Sequence, residues 1–173
     1  MRNILLLIIL VLISSSSVFA GCVSGNCNNG YGTFESSSGG VYIGMHKNKK
    51  AEGLGAYYYK NGDIYIGEHK NNLGHGRGEI TYYNGDKYVG EFKKDLPHGK
   101  GTTYYYETGD IYIGEHRNNQ MHGRGEITYY NGDTYVGEFK RNKFDGQGTY
   151  THYDKTLEVE RGIWKNSKLI EEN

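Results

Sequence analysis

Proline is nearly absent, one residue in 173, while glycine reaches 27 and tyrosine 18. High glycine with high tyrosine and almost no proline argues against disorder and for β-structure with many turns. Lys plus Arg and Asp plus Glu are 20 each, so formal net charge is zero. No bulk electrostatic attraction to nucleic acid is therefore expected. Phenylalanine and leucine are scarce, which excludes a thick aliphatic core; the apolar bodies of the tyrosines must supply most of the buried area. No nucleophile elbow, phosphate loop or Ser-His-Asp order is present. The longest apolar run, residues 4–13, has ten residues, too few to span a bilayer as a helix.

That run has its own reading. Arg2 precedes it, Ser14 to Ser17 follow, and Val18-Phe19-Ala20 ends in a small residue. A positive start, an apolar centre and a small-residue exit predict a secretory signal helix over residues 1–20. The mature chain is then expected to be exported, secreted or periplasmic. The only cysteines, Cys22 and Cys27, follow directly. In an exported chain two nearby cysteines suggest a disulfide, which would constrain the unfolded chain by perhaps about 2 kcal/mol. Phe19-Ala20-Gly21-Cys22 also resembles the lipobox of bacterial lipoproteins, in which the cysteine carries lipid and holds the protein to the envelope. Both alternatives stand on the sequence.

The rest of the chain repeats. Tyr-x-Gly, then Gly-x-Gly, then Asn-Gly-Asp returns at Tyr42, Tyr65, Tyr88, Tyr112 and Tyr135, in steps of 23, 23, 24 and 23 residues. A fixed period of this size means one small unit stacked on its neighbours. Residues 63–93 and 110–140 are identical at 27 of 31 positions, so two repeats form a larger duplicated unit. Within a unit, Gly76 to Tyr83 and Asp86 to Lys93 are rich in β-branched and aromatic residues and flank Asn84-Gly85. That pattern predicts two antiparallel strands joined by a tight turn with positive φ at both centres. The polar link Lys93 to Gly99 is expected to form a longer loop to the next unit. The predicted fold is all-β: an elongated, single-layer antiparallel meander of tandem hairpins after the signal helix. About twelve strands at 4.8 Å make a ribbon of roughly 55 Å.

The expected organisation is a signal peptide at 1–20, a partial repeat with the cysteine pair at 21–41, five repeats over 42–159, and a partial repeat with tail at 160–173. Strand alternation puts Tyr88, Gly90 and Phe92 on one face, where the glycine leaves a slot for a neighbouring aromatic ring. Gly44, Gly67, Gly114 and Gly137 repeat that slot. Val89 and Ile66 lie on the opposite face with Glu68, Glu91, Glu115 and Glu138. Alternation alone leaves open which face is buried.

These motifs resemble the MORN repeat, close to Tyr-x-Gly, a gap, Gly-x-Gly, and a Gly-Asp turn. The chain carries it as Tyr42-x-Gly44 with Gly53-x-Gly55, and Tyr65-x-Gly67 with Gly76-x-Gly78. It recurs as Tyr88-x-Gly90 with Gly99-x-Gly101, Tyr112-x-Gly114 with Gly123-x-Gly125, and Tyr135-x-Gly137 with Gly146-x-Gly148. His75-Gly76, His98-Gly99 and His122-Gly123 match the common His-Gly of the family, whereas Glu52-Gly53 and Asp145-Gly146 depart from it. The resemblance implies an elongated sheet of hairpins used for protein contacts, in some members at membranes. The enzyme domains that accompany such repeats elsewhere have no room here, because the repeats fill the mature chain.

Candidate sites follow from these expectations. Equivalent histidines in adjacent repeats lie two strands apart, about 10 Å, so His75, His98 and His122 cannot share an ion; only His69 with His75 in one repeat could begin a metal site. Glu68 and Glu79 could be imagined as general acid and base, but Glu68 recurs as Glu91, Glu115 and Glu138, and Glu79 as Glu126. A residue copied through the repeats serves the repeat. No catalytic residue, metal or cofactor is therefore expected. Lys47, Lys49, Lys50, Lys93, Lys94, Lys140, Arg141 and Lys143 gather on the expected long-loop edge, and Asp63, Asp86, Asp110 and Asp133 on the other. The basic rim could face an anionic membrane or envelope surface. The expected function is a non-enzymatic protein-binding ribbon, with a lipid-tethered spacer and a hydrolase as alternatives.

Overall fold

In the computed structural model, which describes residues 20–153 and 158–173, the strands form one antiparallel sheet in sequence order. The expected signal helix falls on residues 1–19, which lie outside the described residues. The strands are β1 (Gly21–Gly25), β2 (Gly30–Glu35), β3 (Val41–Lys47), β4 (Lys50–Tyr58), β5 (Ile64–Lys70), β6 (Leu73–Thr81) and β7 (Lys87–Lys93). They continue as β8 (Leu96–Tyr104), β9 (Ile111–His116), β10 (Met121–Thr128), β11 (Thr134–Lys140), β12 (Lys143–Thr151), β13 (Val159–Lys165) and β14 (Lys168–Glu172). The two strands beyond the expected twelve are the outermost, β1 and β14. Cys22 on β1 is joined by a disulfide to Cys27, in the turn between β1 and β2. Cys22 lacks the Tyr-Gly signature, which is why β1 could not be read from the repeat.

The two edges of the ribbon are the reverse of the expectation. The Asn-Gly turns are not tight pairs with two positive φ angles. In the β6–β7 hairpin, Gly85 alone takes positive φ, 92°. Its N–H donates to the Tyr82 carbonyl, and Tyr82 N–H donates to Asp86. The loop is therefore Tyr83-Asn84-Gly85, a turn closed by a left-handed glycine. The polar links contain the tight turns. Asn71 and Asn72 have φ of 52° and 69°, and Lys94 and Asp95 have 52° and 67°. Lys70 pairs directly with Leu73, and Lys93 with Leu96. The remainder of each polar link is strand.

A bulge absorbs the residues left over. Gly67 pairs with Gly78 and His69 with Gly74, so His75, Gly76 and Arg77 stand opposite the single residue Glu68. Gly76 has φ of 66°, and a Cβ there would lie 2.7 Å from Glu68 Oε2. Glu68 Oε1 accepts the Arg77 N–H at 3.0 Å, and Glu91 and Glu115 repeat this with Lys100 and Arg124. The repeated glutamate thus satisfies backbone that the bulge removes from the ladder.

Register aligns one glycine in every strand from β2 to β13. Gly32 pairs with Gly44, Gly44 with Gly55, and the row continues through Gly90 and Gly125 to Gly162. A tyrosine ring crosses every second pair, from Tyr42 over Gly44 and Gly55 to Tyr135 over Gly137 and Gly148. A Cβ on Gly101 would run into the Tyr88 ring, and one on Gly90 would meet the Gly101 Cα at 2.5 Å. The row therefore admits no side chain. Tyr88, Tyr112 and Tyr135 are among the largest fully buried side chains, so the Tyr-Gly face is the buried one.

Candidate functional site

On the buried face the tyrosines form one ladder with the residues two places after each glycine. Tyr42 meets His69, Tyr65 meets Phe92, Tyr88 meets His116 and Tyr112 meets Phe139, edge to face with centroids 4.7–4.9 Å apart. Each tyrosine also meets the ring in its own strand. Edge-to-face packing sets the positive ring edge against a negative ring face. The tyrosine hydroxyls are not left unpaired: Tyr65 donates to the Glu68 carbonyl at 2.8 Å, Tyr88 to Glu91 and Tyr112 to Glu115, both at 2.9 Å. Burial pushes the Tyr42 and Tyr135 phenols up to about 12.

His69 and His116 are rungs of this ladder. Burial lowers the pKa of both, that of His116 to about 4. Burial holds His116 neutral although the Gly114 carbonyl favours the charged ring; in the neutral ring Nδ1–H donates to that carbonyl at 3.3 Å and Nε2 accepts the Thr103 hydroxyl at 2.9 Å. His69 is thus committed to aromatic packing. The signal was in the sequence, where His69, Phe92, His116 and Phe139 hold equivalent places, but no pattern said that imidazole was standing in for phenyl. Among the described residues no group of three or more His, Cys, Asp or Glu could hold a metal ion. Glu68 is occupied by the bulge, while Glu79 pairs with Lys87 Nζ at 2.8 Å.

The opposite face has no covering layer among the described residues. It carries two rows that cross the strands. In the first, Ile66, Val89, Ile113 and Val136 alternate with Glu79, Thr102, Glu126 and Thr149. These aliphatic side chains are 55, 40, 57 and 51 % exposed. In the second row acids and bases face each other: Arg77 with Glu91, Lys100 with Glu115, and Arg124 with Glu138. The glycine backbone floors the space between. Two hollows of about 950 and 630 Å³ share Val89, Gly90 and Lys100. Together they form one trough from Ile66 on β5 to Arg161 on β13, roughly 40 Å long at the usual strand spacing. Its carboxylates recur strand after strand as repeated contact points, and its one-off polar residues, Gln147 and Arg161, lie at the β12–β13 end.

The edges hold the remaining predicted residues. Lys47, Lys49, Lys50, Lys93, Lys94, Lys140, Arg141 and Lys143 are all exposed. They line the two-residue turns rather than long loops, with Lys49, Lys94 and Arg141 at positive φ. Turn side chains there tie one repeat to the one before. Asn72 Oδ1 accepts the Ala51 N–H and Asn142 Oδ1 the Met121 N–H, each at 2.7 Å. The lone proline, Pro97, occupies the equivalent place without an N–H to donate, and the amide of Asn119 accepts the Tyr82 hydroxyl instead. On the other edge Asp63, Asp86, Asp110 and Asp133 each accept the backbone N–H of a tyrosine in the next loop, at 2.8–3.0 Å.

Comparison with known families agrees with this repeat. Residues 42–64, 65–87, 88–110, 112–134 and 135–156 each match the family described as MORN repeat. No curated protein matches the chain. Among solved structures, the SAS-4 (dCPAP) TCP domain of Drosophila melanogaster, in complex with a proline-rich motif of Ana2 (dSTIL), is 14 % identical. That match covers 88 % of this chain and 94 % of the other, with a TM-score of 0.34. The five matched segments take in well over half of the residues, and the chain belongs to the MORN-repeat family.

Proposed function

We propose that this chain is an exported, non-enzymatic MORN ribbon that binds or scaffolds another protein in a bacterial envelope or outside the cell. The observation that carries the binding role is the uncovered trough, with exposed Ile66, Val89, Ile113 and Val136 along a wall of matched charges. A partner segment with an apolar stripe and little net charge fits that surface, because the second row is already balanced acid against base. Export rests on the signal pattern of residues 1–20 and on the cysteine pair that follows it. Crosslinking in intact cells, with partner identification, tests the role. The chain should capture a discrete protein partner, and I113K/V136K should release it while the sheet still folds. Unchanged capture by that variant would remove the trough from the interface.

The lipid-tethered spacer is the second reading. A sulfur held in the Cys22–Cys27 disulfide cannot also carry a thioether, and this favours the untethered form. Intact mass of the exported protein decides: loss of two hydrogens supports the disulfide, and a diacylglyceryl addition at Cys22 supports the tether. The basic edge is a subsidiary contact to an anionic membrane or envelope surface. Its retention on anionic vesicles should fall as salt rises, since exposed charges are screened. A hydrolase is disfavoured, because the carboxylates of the trough recur through the repeats, and its one-off polar residues, Gln147 and Arg161, do not make an acid–base pair.

A further inference from the structure

Tyr83, Tyr106, Tyr130 and Tyr153 open the successive three-residue or longer loops of one edge, and at 77, 76, 85 and 66 % they are the most exposed aromatic residues described. They are set in place alike. Each backbone N–H is held by the aspartate of the preceding loop. The rings of Tyr106, Tyr130 and Tyr153 rest one side on the preceding turn glycine: a Cβ on Gly85, Gly109 or Gly132 would meet the ring within 2.6–3.0 Å. The other side of each ring is open. The hydroxyls of Tyr83, Tyr106 and Tyr130 bond nothing among the described residues. Loop closure does not require the ring, because Lys60 occupies the equivalent place in the Tyr59–Asp63 loop.

Successive tyrosines are two strands apart, about 9.6 Å at the usual spacing. A polyproline II helix turns once every three residues and rises about 9.3 Å in doing so. Over the three intervals from Tyr83 to Tyr153 the two periods diverge by only about 1 Å. We propose that this edge is a second binding site, separate from the trough, for a proline-rich segment in polyproline II conformation. Every third side chain of the segment stacks on one tyrosine, and its unpaired carbonyls accept the free hydroxyls. Basic residues of the segment face Asp63, Asp86 and Asp110, none of which takes part in an ion pair among the described residues. The segment is already extended when free, so docking orders few torsions.

Fluorescence anisotropy with a labelled peptide of about a dozen residues, proline throughout with an arginine at each end, tests the site on the purified protein; about ten residues reach all four rings. Saturable binding is expected. It should weaken at least tenfold in Y106S/Y130S, survive in Y106F/Y130F with a smaller loss, and persist in I113K/V136K, which separates this site from the trough. Y106K/Y130K, which copies Lys60, should also lose binding and guards against misfolding of the serine variant. A glycine-serine peptide of equal length and charge should not bind. The proposal is overturned if the proline peptide shows no saturable binding, if the serine and lysine variants bind it as well as the native chain, or if a β-1,4-linked glucosamine oligomer binds this edge and the peptide does not.

Discussion

The two faces of this sheet share every strand and differ in every side chain. On one, Tyr88, Phe92 and Tyr112 are nearly inaccessible; on the other, Val89 and Ile113 are 40 and 57 % exposed. The residues alternate along the same backbone, one toward the ladder and the next toward solvent. A single-layer sheet has no second layer to bury its aromatics, so it must bury them on itself. The glycine row makes this work: with no side chains there, each ring lies flat across two strands. The open face is then free to differ without disturbing the fold. Stability belongs to one face, and the other is the face proposed for recognition.

The sharpest way to break that contrast is to remove one rung. Tyr112→Ala deletes a fully buried ring that touches His116 and Phe139. It should cost about 4 kcal/mol in urea unfolding, with loss of the near-ultraviolet signal of the aromatic ladder. Filling the slot is nearly as severe. Gly90→Ala would drive a Cβ against the Gly101 Cα and the Lys100 carbonyl, both backbone. About 2–3 kcal/mol should be lost, whereas Ala at an open-face position such as Val136 should cost well under 1 kcal/mol.

Acid should act on the buried face through its histidines. The folded state holds the His116 pKa near 4, below the ordinary value of 6.5. Between these values the unfolded chain binds the proton more readily, so stability is present above pH 6.5 and is lost as pH falls toward 4. The loss should be on the order of 2–3 kcal/mol. His116→Phe, which copies Phe92 and Phe139, should remove the His116 share of that acid limb and leave the part due to His69; an unchanged limb would place the titration elsewhere. The smallest effect is expected at Val136→Lys: unfolding within about 0.5 kcal/mol of the native chain, but loss of a partner captured through the trough.

Much of the fold was legible because the period-2 pattern and the 23-residue repeat are written locally. Tyr88, Gly90 and Phe92 could be grouped on one face before any coordinates, and their glycine slot follows from the missing side chain. The turns were not legible, since Asn84-Gly85 suits more than one loop. Had those two residues formed the whole turn, Tyr83 would face Asp86 and Gly90 would face Glu79. In the structure Gly90 faces Gly78. A slip of one residue would set carboxylates and rings in each other's places, so the glycine row selects the three-residue loop. The compensating bulge at Gly76, opposite Glu68, depends on that same register and could not be seen in either strand alone. The role of His69 and His116 was hidden for a similar reason, because their ring partners are 27 and 28 residues away, His69 from Tyr42 and His116 from Tyr88.

The amino-acid order by itself determined the β class, the number of full repeats and the partnership of tyrosine with glycine. Each of these depends on neighbours in the chain or on a recurring interval. Only the tertiary structure decided which face is covered, which edge carries the tight turns, and that Gly21–Gly25 and Lys168–Glu172 form additional edge strands. Those outcomes depend on the pairing of strands, and pairing is chosen by how rings from one repeat fit the empty glycine positions of the next.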